Sequence, residues 1–212
     1  MSKPSMPARS AASRGAGRQT RRVTGRAVRK RESHERILKS ADLIARREGL
    51  RAASVPRVMH GAGLTVGGFY AHFPSKTAMD AEIIRTMLGG QARWLKGLEE
   101  SAGLEWVERA LKRYLSREHR DNVDGCAYPA VLSEVAMSSE EVRGACADAL
   151  EARVASFETQ VAPVAGCSPR ERALATMALT IGGLLLSRAT RGKPVSEELL
   201  GACRKWALPE RD

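Results

Sequence analysis

A chain of 212 residues, 43% of them hydrophobic, can bury the core of one ordinary domain plus an appendage, which excludes a wholly disordered protein. Lys and Arg number 35 against 24 Asp and Glu, and the resulting charge of +11 makes nucleic acid or an anionic surface the first partner to consider. The excess is local: residues 1–31 hold ten bases and no acid, leaving 25 bases against 24 acids in residues 32–212.

Taken in chain order, residues 1–31 mix Ser, Gly, Ala, Pro and Arg with few large apolar side chains. Such a segment cannot offset its ordering entropy, so a disordered basic arm is expected. Its acid-free, Arg- and Ser-rich composition is also that of an organellar transit peptide. Arg21-Arg22 is followed by no apolar stretch, so export is not expected. From Glu32 the pattern becomes helical. Ile37, Leu38, Ala41, Ile44 and Ala45 recur at three- and four-residue spacing, and Gly49 supplies a stop.

Ser54 to Phe73 divides into two short helices. Ser54 is placed to cap the first, Pro56 sits in its first turn, and Val55, Val58 and Met59 face inward. Gly61-Ala-Gly63-Leu64 breaks that helix, Thr65 can cap the next, and Phe69 and Phe73, four apart, give it a buried face. Pro74-Ser75 ends it, with Ser75 capping the helix that follows and Lys76 at its mouth. Two short helices joined by a glycine turn and braced by a preceding helix are helix-turn-helix geometry, whose second helix enters the major groove.

Further helical stripes follow. Met79, Ile83, Ile84, Met87 and Leu88 form one; Trp106, Val107, Ala110, Leu111, Tyr114 and Leu115 another. Val142, Ala145, Cys146, Ala149, Leu150, Val154, Phe157 and Val161 mark a long third. Leu174, Met177, Ala178, Ile181, Leu184 and Leu185 supply a fourth, and Leu199, Leu200, Cys203 and Trp206 a short last one. The run Ala173–Ser187, bracketed by Arg172 and Arg188, is too short to span a bilayer and reads as a buried helix. No segment alternates like a strand. The fold class is therefore all-α, with a three-helix N-terminal helix-turn-helix unit (32–78) and a helical C-terminal unit (79–212) behind the arm.

The segment Gly63-Leu-Thr-Val-Gly-Gly-Phe-Tyr-Ala-His-Phe-Pro-Ser-Lys76, preceded by Ser54-Val55, resembles the DNA-binding signature of the TetR/AcrR family of bacterial regulators. The Tyr-x-His-Phe-x-x-Lys core matches at every position. The likeness runs from Glu32 to about Arg85, a quarter of the chain. Beyond it, size, helical content, the Gly125-Cys126 start and the Ser133–Met137 helix resemble one branch of the family. The resemblance implies a cytoplasmic homodimer that binds a near-palindromic operator in double-stranded DNA and carries a small-molecule effector in its body. A repressor released by a small apolar ligand is the implied mode. Ser54, Tyr70, His72 and Lys76 would then touch phosphates, while Thr65, Val66, Gly67 and Gly68 would face base edges. One position departs: the family often places an acid after the lysine, and Thr77 stands there.

Outside this segment the signals are thinner. Trp94, Trp106, Tyr114, Cys126, Tyr128, Met137, Phe157 and Met177 are candidates to line an effector cavity, though each also fits plain core. Cys126 precedes a predicted helix, whose dipole would lower its thiol pKa, while its other reading is a small buried hydrophobe. Four separated cysteines and four unpaired histidines lack metal-ligand spacing, so no metal or cofactor is expected, and reduced thiols fit a cytoplasmic protein. No catalytic motif appears, which leaves an enzyme using Cys126 as nucleophile far behind. A non-specific or architectural nucleic-acid binder acting through the arm is the alternative. The stripes at Val142–Val161 and Leu174–Leu185, with Gly182-Gly183, are the expected dimer surface.

Overall fold

The structure, a computed structural model, describes residues 25–89, 97–98, 100–122, 124, 126–161 and 166–208. Among them every regular element is helical. The head comprises α1 (Gly25–Glu48), α2 (Val55–Gly61), a 3-10 segment (Val66–Ala71) and the start of α3 (Lys76–Gly89). The body comprises α4 (Gly103–Tyr114), α5 (Arg117–Asp121), α6 (Tyr128–Ala136), α7 (Glu140–Glu158), α8 (Pro169–Ala189) and α9 (Pro194–Ala207).

Helix α1 begins seven residues before Glu32, where the apolar period starts. Its buried nucleus, Ile37, Ala41 and Ala45, permits propagation into a run of Arg and Lys that are good helix formers. The expected disordered arm therefore loses residues 25–31 to α1, and residues 1–24 lie outside the described residues. At its other end α1 stops where the sequence says it should, with Gly49 at φ 91°.

One hydrophobic cluster joins head to body. Ile37, Val58, Met59, Phe69 and Phe73 share it with Met79, Ile83 and Ile84 of α3, Val131 of α6, and Val142 and Ala145 of α7. Helix α3 is the shared wall. A second cluster gathers Val107, Leu111, Val154, Phe157 and Met177, and a third gathers Tyr114, Leu115, Leu184 and Leu200. Polar ties reinforce the head–body seam. Arg47 pairs bidentately with Asp124 at 3.0 and 3.1 Å, Glu134 Oε2 accepts the Arg51 N–H at 2.6 Å, and Arg153 donates to the Leu88 carbonyl at 2.9 Å.

The apolar stripes expected at a dimer surface are partly used within the chain. Helix α7 spends Val142, Ala145, Cys146, Ala149, Val154 and Phe157 inside its own chain, against α3 and α8. Helix α8 is not wholly buried: Leu174, Ala178, Leu185 and Leu186 are exposed along one side. Helix α9 adds Val195 and Trp206, the latter 79% exposed. Of the ten large hydrophobic side chains exposed among the described residues, half lie on α8 and α9. Gly183 serves α8–α9 contact within the chain, because a Cβ there would meet Cys203 Sγ and lie 3.1 Å from Cys203 Cβ. A capping box starts α8, with the Ser168 hydroxyl accepting from Glu171 N and Glu171 Oε2 accepting from Ser168 N at 2.8 Å.

Candidate nucleic-acid interface

The turn between α2 and the 3-10 segment depends on Gly63, whose φ of 66° favours a residue without Cβ. Leu64 N donates to Met59 O at 2.9 Å, and Gly63 N to His60 O at 2.9 Å. From α1, Arg36 donates to the Ala62 carbonyl and, more distantly at 3.4 Å, to that of Gly63. Sequence reasoning missed Arg36; its place one residue before the buried Ile37 was the available signal.

The segment after the turn is 3-10 rather than α-helical over Val66–Ala71. Two adjacent glycines and no side-chain cap explain the short, tight winding: the Thr65 hydroxyl, expected as a cap, makes no cap hydrogen bond. Ser54 likewise stands at the N-cap of α2 without a side-chain cap bond. Ser75 does cap α3, its Oγ accepting from Ala78 N at 3.0 Å.

Aromatic packing aims the segment. Phe69 and Phe73 are buried and stacked at 5.6 Å, and His34 of α1 stacks on Phe73 at 4.7 Å. With that face turned inward, Thr65, Gly67, Tyr70 (77% exposed) and Val66 (50% exposed) face solvent. Gly68 is half-buried; a Cβ there would find ordinary contacts at 3.7 and 3.8 Å, and one at Gly67 would meet nothing within 4 Å. Neither glycine is demanded by packing inside the chain.

His72 and Lys76 flank this surface. Burial, then the nearby His34 and Lys30, lower the pKa of His72, and its Nδ1 is buried without a hydrogen-bond partner. Lys76 forms an ion pair with Asp80 one turn along α3. That carboxylate, itself raised in pKa mainly by burial, supplies the negative charge that Thr77 does not.

The candidate effector residues divide into two groups, with Met137 apart from both. Trp106 meets Phe157 edge-on at 5.2 Å, with Met177 in the same cluster. Tyr114, Cys126 and Tyr128 lie elsewhere, toward α6. Met137, just past the end of α6, is 78% exposed, and Trp94 lies outside the described residues. A cleft of about 370 Å³ at the head–body seam is lined by Arg46, Arg47, Glu134, Leu185 and Arg188 among others, and by none of the eight candidates.

Cys126 also behaves differently from the dipole expectation. Burial pushes its thiol pKa up, outweighing the hydrogen bond with Tyr114 Oη at 3.1 Å. Its N–H donates to His119 Nε2 at 3.1 Å, while His119 Nδ1 donates to the Tyr114 carbonyl at 2.7 Å. This pairing fixes the neutral Nδ1–H tautomer, in keeping with a His119 pKa lowered mainly by burial.

Comparison with known proteins places this geometry. The family profile described as bacterial regulatory proteins, tetR family, matches residues 37–83. The uncharacterized HTH-type transcriptional regulator YerO of Bacillus subtilis is 26% identical over 90 residues, 42% of this chain and 31% of that protein. The chain thus spans about a third of that curated relative. Reduced Escherichia coli NemR superposes with a TM-score of 0.68 at 19% identity, covering 82% of this chain and 96% of the other. A TetR-family transcriptional regulator from Agrobacterium tumefaciens gives 0.66 at 16% identity, covering 85% and 100%. These superpositions establish the fold, and the profile match falls on the helix-turn-helix just described. Residues 37–83 therefore match the bacterial regulatory proteins, tetR family, over the helix-turn-helix, within a chain that shares the fold of these solved structures.

Proposed function

We propose that the chain binds a near-palindromic site in double-stranded DNA as a homodimer and regulates transcription, acting as a repressor that a small molecule releases. The observation carrying this reading is the division of labour along Thr65–Lys76. Phe69 and Phe73 are consumed by the core, while Thr65, Val66, Gly67 and Tyr70 are left bare on a short segment. Glycines with no internal packing duty suit close backbone approach to a groove. Ser54, Tyr70, His72 and Lys76 are assigned to phosphates; Thr65, Val66, Gly67 and Gly68 are assigned to base edges, where a methyl and a hydroxyl can meet thymine or a base acceptor. So few side-chain readers leave part of the specificity to DNA shape.

The exposed apolar side of α8 and α9 supports the dimer, which would present two heads to half-sites about 34–36 Å apart or a multiple of that spacing. For the effector, the supporting observation is a buried group of polar side chains where α6 begins: Tyr128 carries the Arg153 guanidinium over its ring at 5.7 Å, and the Tyr114 hydroxyl lies 3.1 Å from Cys126 Sγ. A small ligand with a polar group could hydrogen-bond within this group while its apolar part packs beside the rings.

The test begins with selection of duplexes from a random library by the immobilised chain. Tyr70→Ala should weaken binding to all selected duplexes alike, and Val66→Ala should change preference at one base position. Enrichment of no sequence, or unchanged affinity in Tyr70→Ala, would reject the reading.

A further inference from the structure

We propose that the first turns of α1, carrying Arg26, Arg29 and Lys30, form a second DNA-contacting surface that binds phosphates flanking the site read by Val66–Ala71. The inference rests on the DNA-binding reading above and extends its footprint.

Three observations support it. First, the cations are ordered and idle. Arg26, Arg29, Lys30 and Arg31 are exposed on a helix whose first turn has no acid. Arg31 has Glu35 at 3.6 Å, whereas Arg26, Arg29 and Lys30 have no carboxylate within 4 Å among the described residues. Cations at the positive end of a helix oppose its dipole, so this arrangement gains from an external anion.

Second, the surface is continuous with the interface. His34 lies beside the recognition segment, its ring 5.9 Å from His72 and 4.7 Å from Phe73. Lys30 and Arg26 follow His34 at four-residue steps, which place them along one side of the helix. The charge of Lys30 is close enough to depress the His72 pKa. At 1.5 Å per residue the row extends about 12 Å beyond His34. With one phosphate per 3.4 Å of axis on each strand, that length matches roughly three phosphates.

Third, the surface lacks the apolar face by which a helix inserts into a bilayer interface. A helix lying in a bilayer interface requires a broad apolar face, and the stretch Gly25–Glu32 offers only Ala27, exposed, and Val28, half-buried.

The test compares the full chain with an Arg26→Gln, Arg29→Gln, Lys30→Gln variant. Glutamine keeps helix propensity, and circular dichroism checks that the helix survives. Each protein is titrated at several salt concentrations against a selected duplex with short or long flanks, and against a mixed-sequence duplex. The slope of log K against log salt should flatten by about 2.7 per bound protomer on every duplex with long flanks, from about 0.9 per lost contact. Trimming the flanks should weaken the parent chain and leave the variant indifferent. An Arg26→Lys, Arg29→Lys variant should keep the parental slope.

Equal slopes and equal flank dependence for the parent and the glutamine variant would overturn the proposal, even where Tyr70→Ala abolishes binding. Failure of Tyr70→Ala to matter would instead refute the helix-turn-helix reading, and the mixed-sequence slopes would still judge α1. Equal loss of binding to phosphatidylserine vesicles, without a change on DNA, would assign the surface to lipid and also overturn it.

Discussion

Adjacent glycines in α8 should respond to alanine in opposite ways. Gly183 is buried against α9, and a Cβ there would overlap Cys203 Sγ and stand 3.1 Å from Cys203 Cβ, with Leu115 Cδ2 at 3.7 Å. The sulfur can rotate, but the Cβ can move only with the α9 backbone. Overpacking of this kind costs about 1–3 kcal/mol, and replacing a mid-helix glycine by alanine returns about 1 kcal/mol. Gly183→Ala should therefore destabilise the fold by up to about 2 kcal/mol, lowering the thermal midpoint by as much as roughly 8 °C for a chain of this size. Gly182, half-buried on the opposite side, has nothing within 4 Å of its Cβ position. Gly182→Ala should keep or raise the midpoint and express any effect in dimer dissociation, since Leu174, Ala178 and Leu185 share that side. Thermal and urea unfolding at one fixed protein concentration measure both. A double-mutant cycle with Cys203→Ala isolates the contact, and that substitution should recover about 0.5–3 kcal/mol in the Gly183→Ala background. A cycle with no coupling, or a Gly183→Ala protein more stable than the parent by the full helix-propensity gain, would refute the close α8–α9 approach and return Gly183 to the dimer surface.

Stability should fall as pH drops below about 6.5, because unfolded His119 takes up a proton there that the folded state resists, its pKa lowered by burial. Urea midpoints at pH 7.5 and 5.5 check the sign, and His72, also lowered, adds in the same direction. Leu185→Glu combined with Trp206→Ala should leave helicity intact and yield monomers in sedimentation; persistence of the dimer would move its interface off α8 and α9. Ser168→Ala removes half of the capping box and should cost about 1 kcal/mol, seen as a midpoint loss of roughly 2–4 °C.

What the sequence determined by itself was local. Apolar residues at three- and four-residue spacing specify helices without reference to neighbours, and the glycine stops at Gly49 and Gly63 and the Ser75 cap act over one turn. The spacing of Phe69 and Phe73 likewise determined which side of the DNA-facing segment would be buried, and hence that Tyr70 would be exposed. Tertiary structure decided which apolar stripe found a partner within the chain. The stripes on α7 and α8 look alike in sequence, yet α7 is covered by α3 and α8, whereas α8 turns one side outward. Long-range packing also reversed the expectation for Cys126, since helix dipoles act at a helix end but desolvation depends on everything folded around the thiol. Arg36, Glu134 and Arg153 gained their places only because carbonyls and an N–H distant in sequence were brought within reach. A periodicity carries the direction of a side chain around its own helix; the identity of the group it meets depends on how the helices cross.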